Sequence, residues 1–282
     1  MTNIRLEHAR YGKARVRLVN VRREGQVHHV RELTVRVLCE GDFGESYGSS
    51  DNRRVLPTDT MKNTVYVLAR RQPVDTLEEF GERLGREFLG ECPWLTLVHA
   101  DLAGHPWMRL GGETGGHPHA FVSGGNETST AHVRVTREGV SFTSGLDGLE
   151  LMKTTGSGFE GYPRTRYTTL QPTQDRIFRT IVKSEWTWRP RPHDFIAANA
   201  AVREALLDAF VAEYSPSVQF TLKRMAEMAL DRVREVATLR LSMPNRHCLL
   251  ANLEPFGLDN PNEVFIATDE PHGLIEATFG RG

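Results

Sequence analysis

Leu33-Thr34-Val35-Arg36-Val37 alternates apolar and polar residues one by one, the period of a strand with one buried face. Upstream, Val16 and Leu18 alternate with Arg15 and Arg17 in the same way. The polar stretch Arg22-Arg23-Glu24-Gly25-Gln26 between them predicts a hairpin connection. Downstream the period becomes helical. Met61, Val65 and Leu68 fall on one side of one helix. Thr76-Leu77-Glu78-Glu79 has the spacing of a capping box, and Leu77, Phe80, Leu84 and Phe88 follow on a single face. Strand patterns return at Leu95 to His99 and at Ala131 to Val135.

The second half repeats that order. Ile181 to Trp188 alternates; Phe195, Val202, Leu206, Phe210 and Tyr214 mark one helix; Val218, Leu222, Met225, Ala229 and Val233 mark another. Leu239, Leu241 and Met243, then Val264 and Ile266, predict a closing strand pair. Strand, strand, helix, helix, strand, strand, read twice, predicts an α+β chain of two tandem domains with antiparallel sheets. Glu138-Gly139 breaks the pattern and sets the expected domains at 1–138 and 139–282. The Gly/Ser/Thr-rich stretch Ser123 to Thr130 reads as a mobile loop. Sheets of this kind leave edges that neighbouring copies can close into a barrel, so an oligomer is expected.

A net charge of -1 over 282 residues provides no broad basic field for nucleic acid or an anionic membrane. A small anionic ligand must then be held by individually placed cations. No apolar run approaches the roughly 18–20 residues of a membrane-spanning helix, and Met1 to Arg10 lacks the apolar core of a secretory signal. Cys39, Cys92 and Cys248 are odd in number and widely spaced, which suits reduced thiols better than a disulfide framework. The last residues, Gly280-Arg281-Gly282, form no peroxisomal tripeptide, so a cytoplasmic location is expected.

Several short stretches carry chemistry-bearing side chains. Leu56 to Thr64 sits at a strand-to-helix junction; Thr58 or Asp59 can cap the helix, and its N-terminal N–H groups can receive an anionic or carbonyl-rich ligand. Phe159 to Arg164, Tyr167 to Leu170 and Asp175-Arg176 combine aromatic rings with guanidinium groups, a combination suited to a flat heterocycle. Ser217-Val218-Gln219 opens a helix, and Gln219 offers both donor and acceptor to a purine edge. In Pro244-Asn245-Arg246-His247, Asn245 can bond a small oxygen ligand and His247 can relay protons. Lys13, following Arg10-Tyr11-Gly12, can accept a proton if held beside a hydroxyl. His117-Pro118-His119 would put two rings on one face of a strand, as metal ligands are placed, but no third ligand stands at a telling spacing and no metal site is expected.

Taken in order, Arg10 to Lys13, Thr58-Asp59 with Lys62-Asn63-Thr64, His117 to His119, Tyr167 to Leu170, Asp175-Arg176, Ser217 to Gln219 and Pro244 to His247 resemble the urate oxidase (uricase) family. Asp269 to Ile275 resembles the family's ending. The resemblance implies two tandem T-fold (tunnelling fold) domains, barrels formed between chains, and a homotetramer with active sites at subunit interfaces. It implies oxidation of urate by O2 and water to 5-hydroxyisourate and hydrogen peroxide, with no metal or organic cofactor. Carried over by position, Phe159 stacks on the ring, Arg176 and Gln219 grip one edge with backbone help near Val218, and Thr58 and Asp59 of a neighbouring subunit contact the other edge. Lys13 and Thr58 form the proton-accepting pair, Asn245 holds O2 or water, and His247 relays protons. Glu160 and Tyr162 depart from the family's bulky apolar or aromatic pattern beside the stacking ring. A zinc enzyme of the pterin pathway on the same fold, and a purine-binding module without turnover, are the rival readings.

Overall fold

The structure, a computed structural model, describes residues 4–111 and 116–281; the Met1–Asn3 part of the N-terminal segment and Gly282 lie outside it. The chain divides into two compact units, Met1–Gly145 and Leu146–Gly282. Glu138-Gly139 forms the tight turn into the strand in which that division falls, with the Thr136 N–H donating to the Gly139 carbonyl at 2.9 Å.

In the first unit β1 (Tyr11–Glu24) and β2 (Val27–Gly41) form a long antiparallel hairpin. A short helix α1 (Glu45–Gly48) precedes α2 (Thr58–Arg71) and α3 (Leu77–Glu91). Next come β3 (Leu95–His105), the small hairpin β4 (Trp107–Arg109) and β5 (Phe121–Ser123), β6 (Thr128–Thr136), and the start of β7 (Val140–Lys153). The main sheet here runs β1-β2-β3-β6. Alternation decides which face is buried: Leu33, Val35, Val37 and Cys39 point inward on β2. Phe80, Leu84 and Phe88 of α3 are buried, and α3 packs on β3 and β6. Gly81 and Gly85 permit that approach, since a Cβ on Gly85 would lie 2.3 Å from Val135 Cγ2. At the capping box the Thr76 hydroxyl accepts from the Glu79 N–H at 3.1 Å and donates to its carboxylate at 3.0 Å.

The second unit runs β7-β8-β9-β12, with β8 (Phe178–Trp188), β9 (Val236–Arg246) and β12 (Gly273–Gly280). Helices α4 (Phe195–Ala212) and α5 (Val218–Arg232) pack on each other, and α5 packs on β9 and β12. The core joins Phe178, Val182 and Trp186 of β8 to Leu206, Phe210, Leu222 and Met225 of the helices and to Leu239, Leu241 and Met243 of β9. Burying side chains of this size contributes about 1.5–3 kcal/mol each. A further hairpin, β10 (Cys248–Leu250) with β11 (Phe265–Ala267), stands apart from the main sheet.

The architecture is α+β with antiparallel sheets, as expected, but local readings need correction. The first hairpin turn is only Gly25-Gln26, because Arg22, Arg23 and Glu24 stay paired with His29, His28 and Val27. Charged residues serve well on an exposed strand face, where their polarity imitates a loop signal. Ser123 to Thr130 is not one loop: Ser123 ends β5, and Ser129 and Thr130 pair with Gly104 and Ala103. Ile266 does not close the main sheet. It pairs with Leu249 in the separate hairpin, and the partner of β9 is β12. Tyr214 lies beyond the end of α4. Pro118 and His119 form a bend, and His117 before them is not in a strand either.

Candidate active site

Among the expected residues, Lys13 and Asp59 come close in the first unit, and Phe159 and Arg176 in the second. In the first unit, Gly12 and Lys13 lie on β1 where it presses closest to β2. A Cβ on Gly12 would meet the Val37 carbonyl oxygen at 1.8 Å, so no other residue fits. The β1–β2 register slips between Lys13 and Val16, and Arg15 takes φ +58. Such a bulge re-aims the neighbouring side chains. The Tyr11 phenol accepts the Leu56 N–H at 2.7 Å and so ties β1 to the approach of α2. Burial pushes that phenol up to about 12, against the opposing effect of the Leu56 bond.

Thr58 and Asp59 begin α2, and both are exposed. Neither caps it. Pro57 holds the N-cap position and makes no side-chain cap. Helix geometry leaves the leading N–H groups of such a terminus unpaired. Asp59 is tied to Lys62 and to Asn63, the latter at 3.1 Å. The Lys62 ammonium holds its carboxyl below the usual range, with Lys13 adding to the effect. Lys13, Thr58 and Asp59 therefore share one neighbourhood, with an anion-accepting helix end beside a lysine.

In the second unit, the chain crosses itself around Phe159. Gly158 N–H donates to the Ser215 carbonyl at 2.9 Å, Phe159 and Thr173 exchange backbone bonds at 2.7 and 3.1 Å, and Arg176 N–H donates to the Ser157 carbonyl at 2.8 Å. Asp175 fixes the preceding turn, accepting from the Thr155 hydroxyl at 2.8 Å and the Gly156 N–H at 3.1 Å. Gly158 admits no side chain: a Cβ would sit 2.0 Å from Tyr214 Oη, which itself donates to the Gln174 carbonyl at 2.9 Å. This lattice brings the Arg176 guanidinium 5.6 Å from the centre of the Phe159 ring.

Arg176 is the unusual group here. Its Nε is buried with no hydrogen-bond partner, and burial pulls its pKa down from the ordinary arginine value, although a guanidinium stays charged at any working pH. Ser157 Oγ is buried and unpartnered as well. Ser217 caps α5 by accepting the Phe220 N–H at 3.1 Å, which leaves the Val218 and Gln219 N–H groups uncapped. Val218 is buried while Gln219 is exposed. Tyr162 stacks on Phe159, with centroids 5.0 Å apart and planes at 13°, and its hydroxyl donates to the Leu170 carbonyl at 2.8 Å. Glu160 points elsewhere and accepts from Gln174 at 3.4 Å. Asn245, next to last on β9, lies opposite Thr180 on one side and Gly273 on the other. His247 follows, its carbonyl accepting the Thr268 N–H at 2.9 Å.

Charge on the opposite, polar sheet face is paired across strands: His99 with Glu40 at 2.7 Å, His132 with Asp101 at 2.8 Å. The His117 and His119 rings meet edge to face with centroids 4.5 Å apart. Among the described residues no group of three or more His, Cys, Asp or Glu could hold a metal ion. The sequence pattern does not single out Ser157 or Thr180, and it puts Tyr214 on a helix where the structure sets it against Gln174. Their signal lies in contacts across the fold, which hydrophobic period does not encode.

Comparison with known proteins adds an independent finding. A family model described as Uricase matches residues 9–134 and 142–276. Curated relatives named uricase include that of Arthrobacter globiformis, 41% identical over 99% of this chain and 91% of the relative, and that of Aspergillus flavus, 37% identical over 97% and 96%. The crystal structure of uricase from Arthrobacter globiformis superposes with a TM-score of 0.94, covering 99% of this chain and 96% of that one. A uricase from Bacillus fastidious, at 22% identity, shares the fold with a TM-score of 0.82 over 96% of this chain and 93% of the other.

Proposed function

Because the chain belongs to the uricase family, we propose that it is a urate oxidase that converts urate, O2 and water to 5-hydroxyisourate and hydrogen peroxide. The observation that carries this reading is Arg176. Its buried, unpartnered Nε beside the Phe159 ring wants a flat, anionic or carbonyl-edged ligand. Urate has that shape and charge. On this reading Phe159 stacks on the purine, Arg176 and Gln219 grip one edge, and the Val218 N–H group supports that grip. Tyr162 backs Phe159, the part it takes in place of the family's pattern.

The reaction balances as a two-electron oxidation. Urate gives up two electrons, O2 takes them with two protons to become hydrogen peroxide, and water supplies the hydroxyl on C5. An electron-rich urate dianion can reduce O2 without a metal or organic cofactor. What the protein must supply is deprotonation, orientation and a place for oxygen. Lys13 with Thr58 accepts the proton, Asn245 holds O2 or water, and His247 relays protons.

On this reading, which follows the family resemblance, Thr58 and Asp59 of one chain complete the site of another, within a homotetramer built from barrels. Three unpaired cysteines suit the cytoplasm as its place of work. No described helix is long and apolar enough to cross a membrane.

The test is loss of ultraviolet urate absorbance with EDTA present, matched to peroxide release. Tight urate binding without turnover would favour a binding module. Activity abolished by EDTA and restored by zinc would favour the metal enzyme of the same fold.

A further inference from the structure

Thr180 is 0% exposed, and its hydroxyl is buried without a hydrogen-bond partner. A hydroxyl cut off from water and partner alike is disfavoured and calls for a reason. Thr180 belongs to the helix-facing side of β8, with Phe178 and Val182. Its register partner on β9 is Asn245, which continues the inward series Leu239, Leu241 and Met243. Directly opposed residues of an antiparallel ladder share a face, with Cβ atoms about 4.5–5.5 Å apart. The other cross-strand neighbour of Asn245 is Gly273, which has no side chain. Thr180 is therefore the one register neighbour of Asn245 whose side chain can bond its amide.

That matters because an amide has two ends of nearly equal size and opposite polarity. Shape alone does not select which end faces a ligand; a hydrogen-bonding neighbour does. On the urate oxidase reading, on which this inference rests, negative charge grows on O2 as two electrons arrive from urate. A donor stabilises that charge and an acceptor opposes it. We propose that Thr180 is a positioning residue for the oxygen chemistry: its hydroxyl donates to the Asn245 carbonyl and so turns the amide NH2 toward O2. The same bond satisfies the stranded hydroxyl when the site is filled.

The experiment compares Thr180→Val, which keeps the shape and removes the hydroxyl, with Thr180→Ser, which keeps the hydroxyl. Both are made in the full-length assembly, and urate consumption is followed against O2 concentration. Xanthine serves as a purine probe that binds without this oxidation. The expected result is a fall of about 10–100-fold in kcat/KM for O2 in Thr180→Val. Xanthine affinity should stay within about twofold, and Thr180→Ser should recover most of the loss. Adding Thr180→Val to Asn245→Ala should cost nothing further, since the hydroxyl acts only through the amide. Thr180→Ala carries the same expectation if the valine variant does not assemble. Unchanged O2 dependence, an additive loss in the double variant, or xanthine affinity falling in parallel would each overturn the proposal. Wild-type protein that consumes no urate would overturn the underlying reading; urate consumption with Thr180→Val indifferent to O2 would overturn the Thr180 assignment alone.

Discussion

Replacing Arg176 by methionine separates binding from folding, and the two effects carry opposite signs. In the ligand-free chain the Arg176 Nε is buried and unpartnered, which works against the folded state. An unsatisfied buried donor costs about 1–3 kcal/mol. Methionine keeps a straight apolar side chain near the Phe159 ring, where the guanidinium now sits 5.6 Å from the centroid, and removes the desolvated charge. Ligand-free stability should hold or rise by about 1 kcal/mol, a shift of roughly 2–4 °C in Tm for a unit of this size. Binding moves the other way. A guanidinium fork on an anionic edge makes two charge-assisted bonds, each worth about 1.5–3 kcal/mol. Losing both should weaken xanthine binding by at least about 3 kcal/mol, more than a hundredfold in Kd. Calorimetric titration with xanthine reads the second effect. Scanning calorimetry without ligand, at one protein concentration, reads the first. A Tm lowered by several degrees would make Arg176 a structural residue. Binding weakened less than about tenfold would refute its role as the clamp.

Lys13→Ala should lower urate turnover far more than xanthine affinity, because Lys13 handles a proton; steady-state rates beside calorimetric Kd values check it, and equal small losses would sink the assignment. Gly158→Ala forces a Cβ to within 2.0 Å of Tyr214 Oη, so it should destabilise the second unit by about 1–3 kcal/mol through overpacking, read as a lower denaturant midpoint. Tyr11 has a folded pKa raised to about 12 by burial, so its contribution is full below the unfolded value near 10 and is lost as the pH climbs to about 12. Alkaline unfolding of wild type across that window should therefore steepen relative to Tyr11→Phe, with equal slopes counting against the buried phenol. Dissociated single chains should be inactive; an active monomer at low concentration, seen by activity across a sizing column, would exclude the shared site.

The helices and the inner sheet face were legible because burial imposes a period. Phe80, Leu84 and Phe88 recur as a helix requires, and Leu33, Val35 and Val37 recur as a strand requires. Segments whose partners decide them were not. Arg22 to Glu24 look like loop, yet they pair because β1 and β2 continue past the edge of the core. Gly273 to Gly280, by contrast, carry the strand period, Ile275, Ala277 and Phe279 alternating with Glu276 and Thr278, and close the sheet through eight residue pairs with β9. At the site, Phe159, Arg176 and Asn245 were legible as residue types suited to a purine and to oxygen. The closeness of Arg176 to the Phe159 ring was not, since it depends on Gly158 passing under Tyr214.

The two units also show why a repeated element order yields different chemistry. Each presents a helix N-terminus near its candidate residues, but the ends are finished differently. Ser217 caps α5 by accepting the Phe220 N–H, and the Val218 and Gln219 N–H groups stay uncapped. Pro57 starts α2 with no side-chain cap, and the acid of its first turn is already claimed by Lys62 and Asn63. On the proposed function, one end holds the ligand's polar edge and the other presents a hydroxyl and a carboxylate beside a lysine. Exchanging the caps should expose the difference. Ser217→Pro removes the hydroxyl that accepts the Phe220 N–H, at about 0.5–2 kcal/mol, and should weaken xanthine binding in step with the frayed α5. Pro57→Ser adds a cap to α2, stabilises it by about 1 kcal/mol or less, and should lower turnover while leaving xanthine affinity near wild type, because the Thr58 hydroxyl then faces a competing acceptor. Turnover that rises with the added stability would mean that the open end of α2 serves folding, and that Thr58 takes no part in the proton transfer.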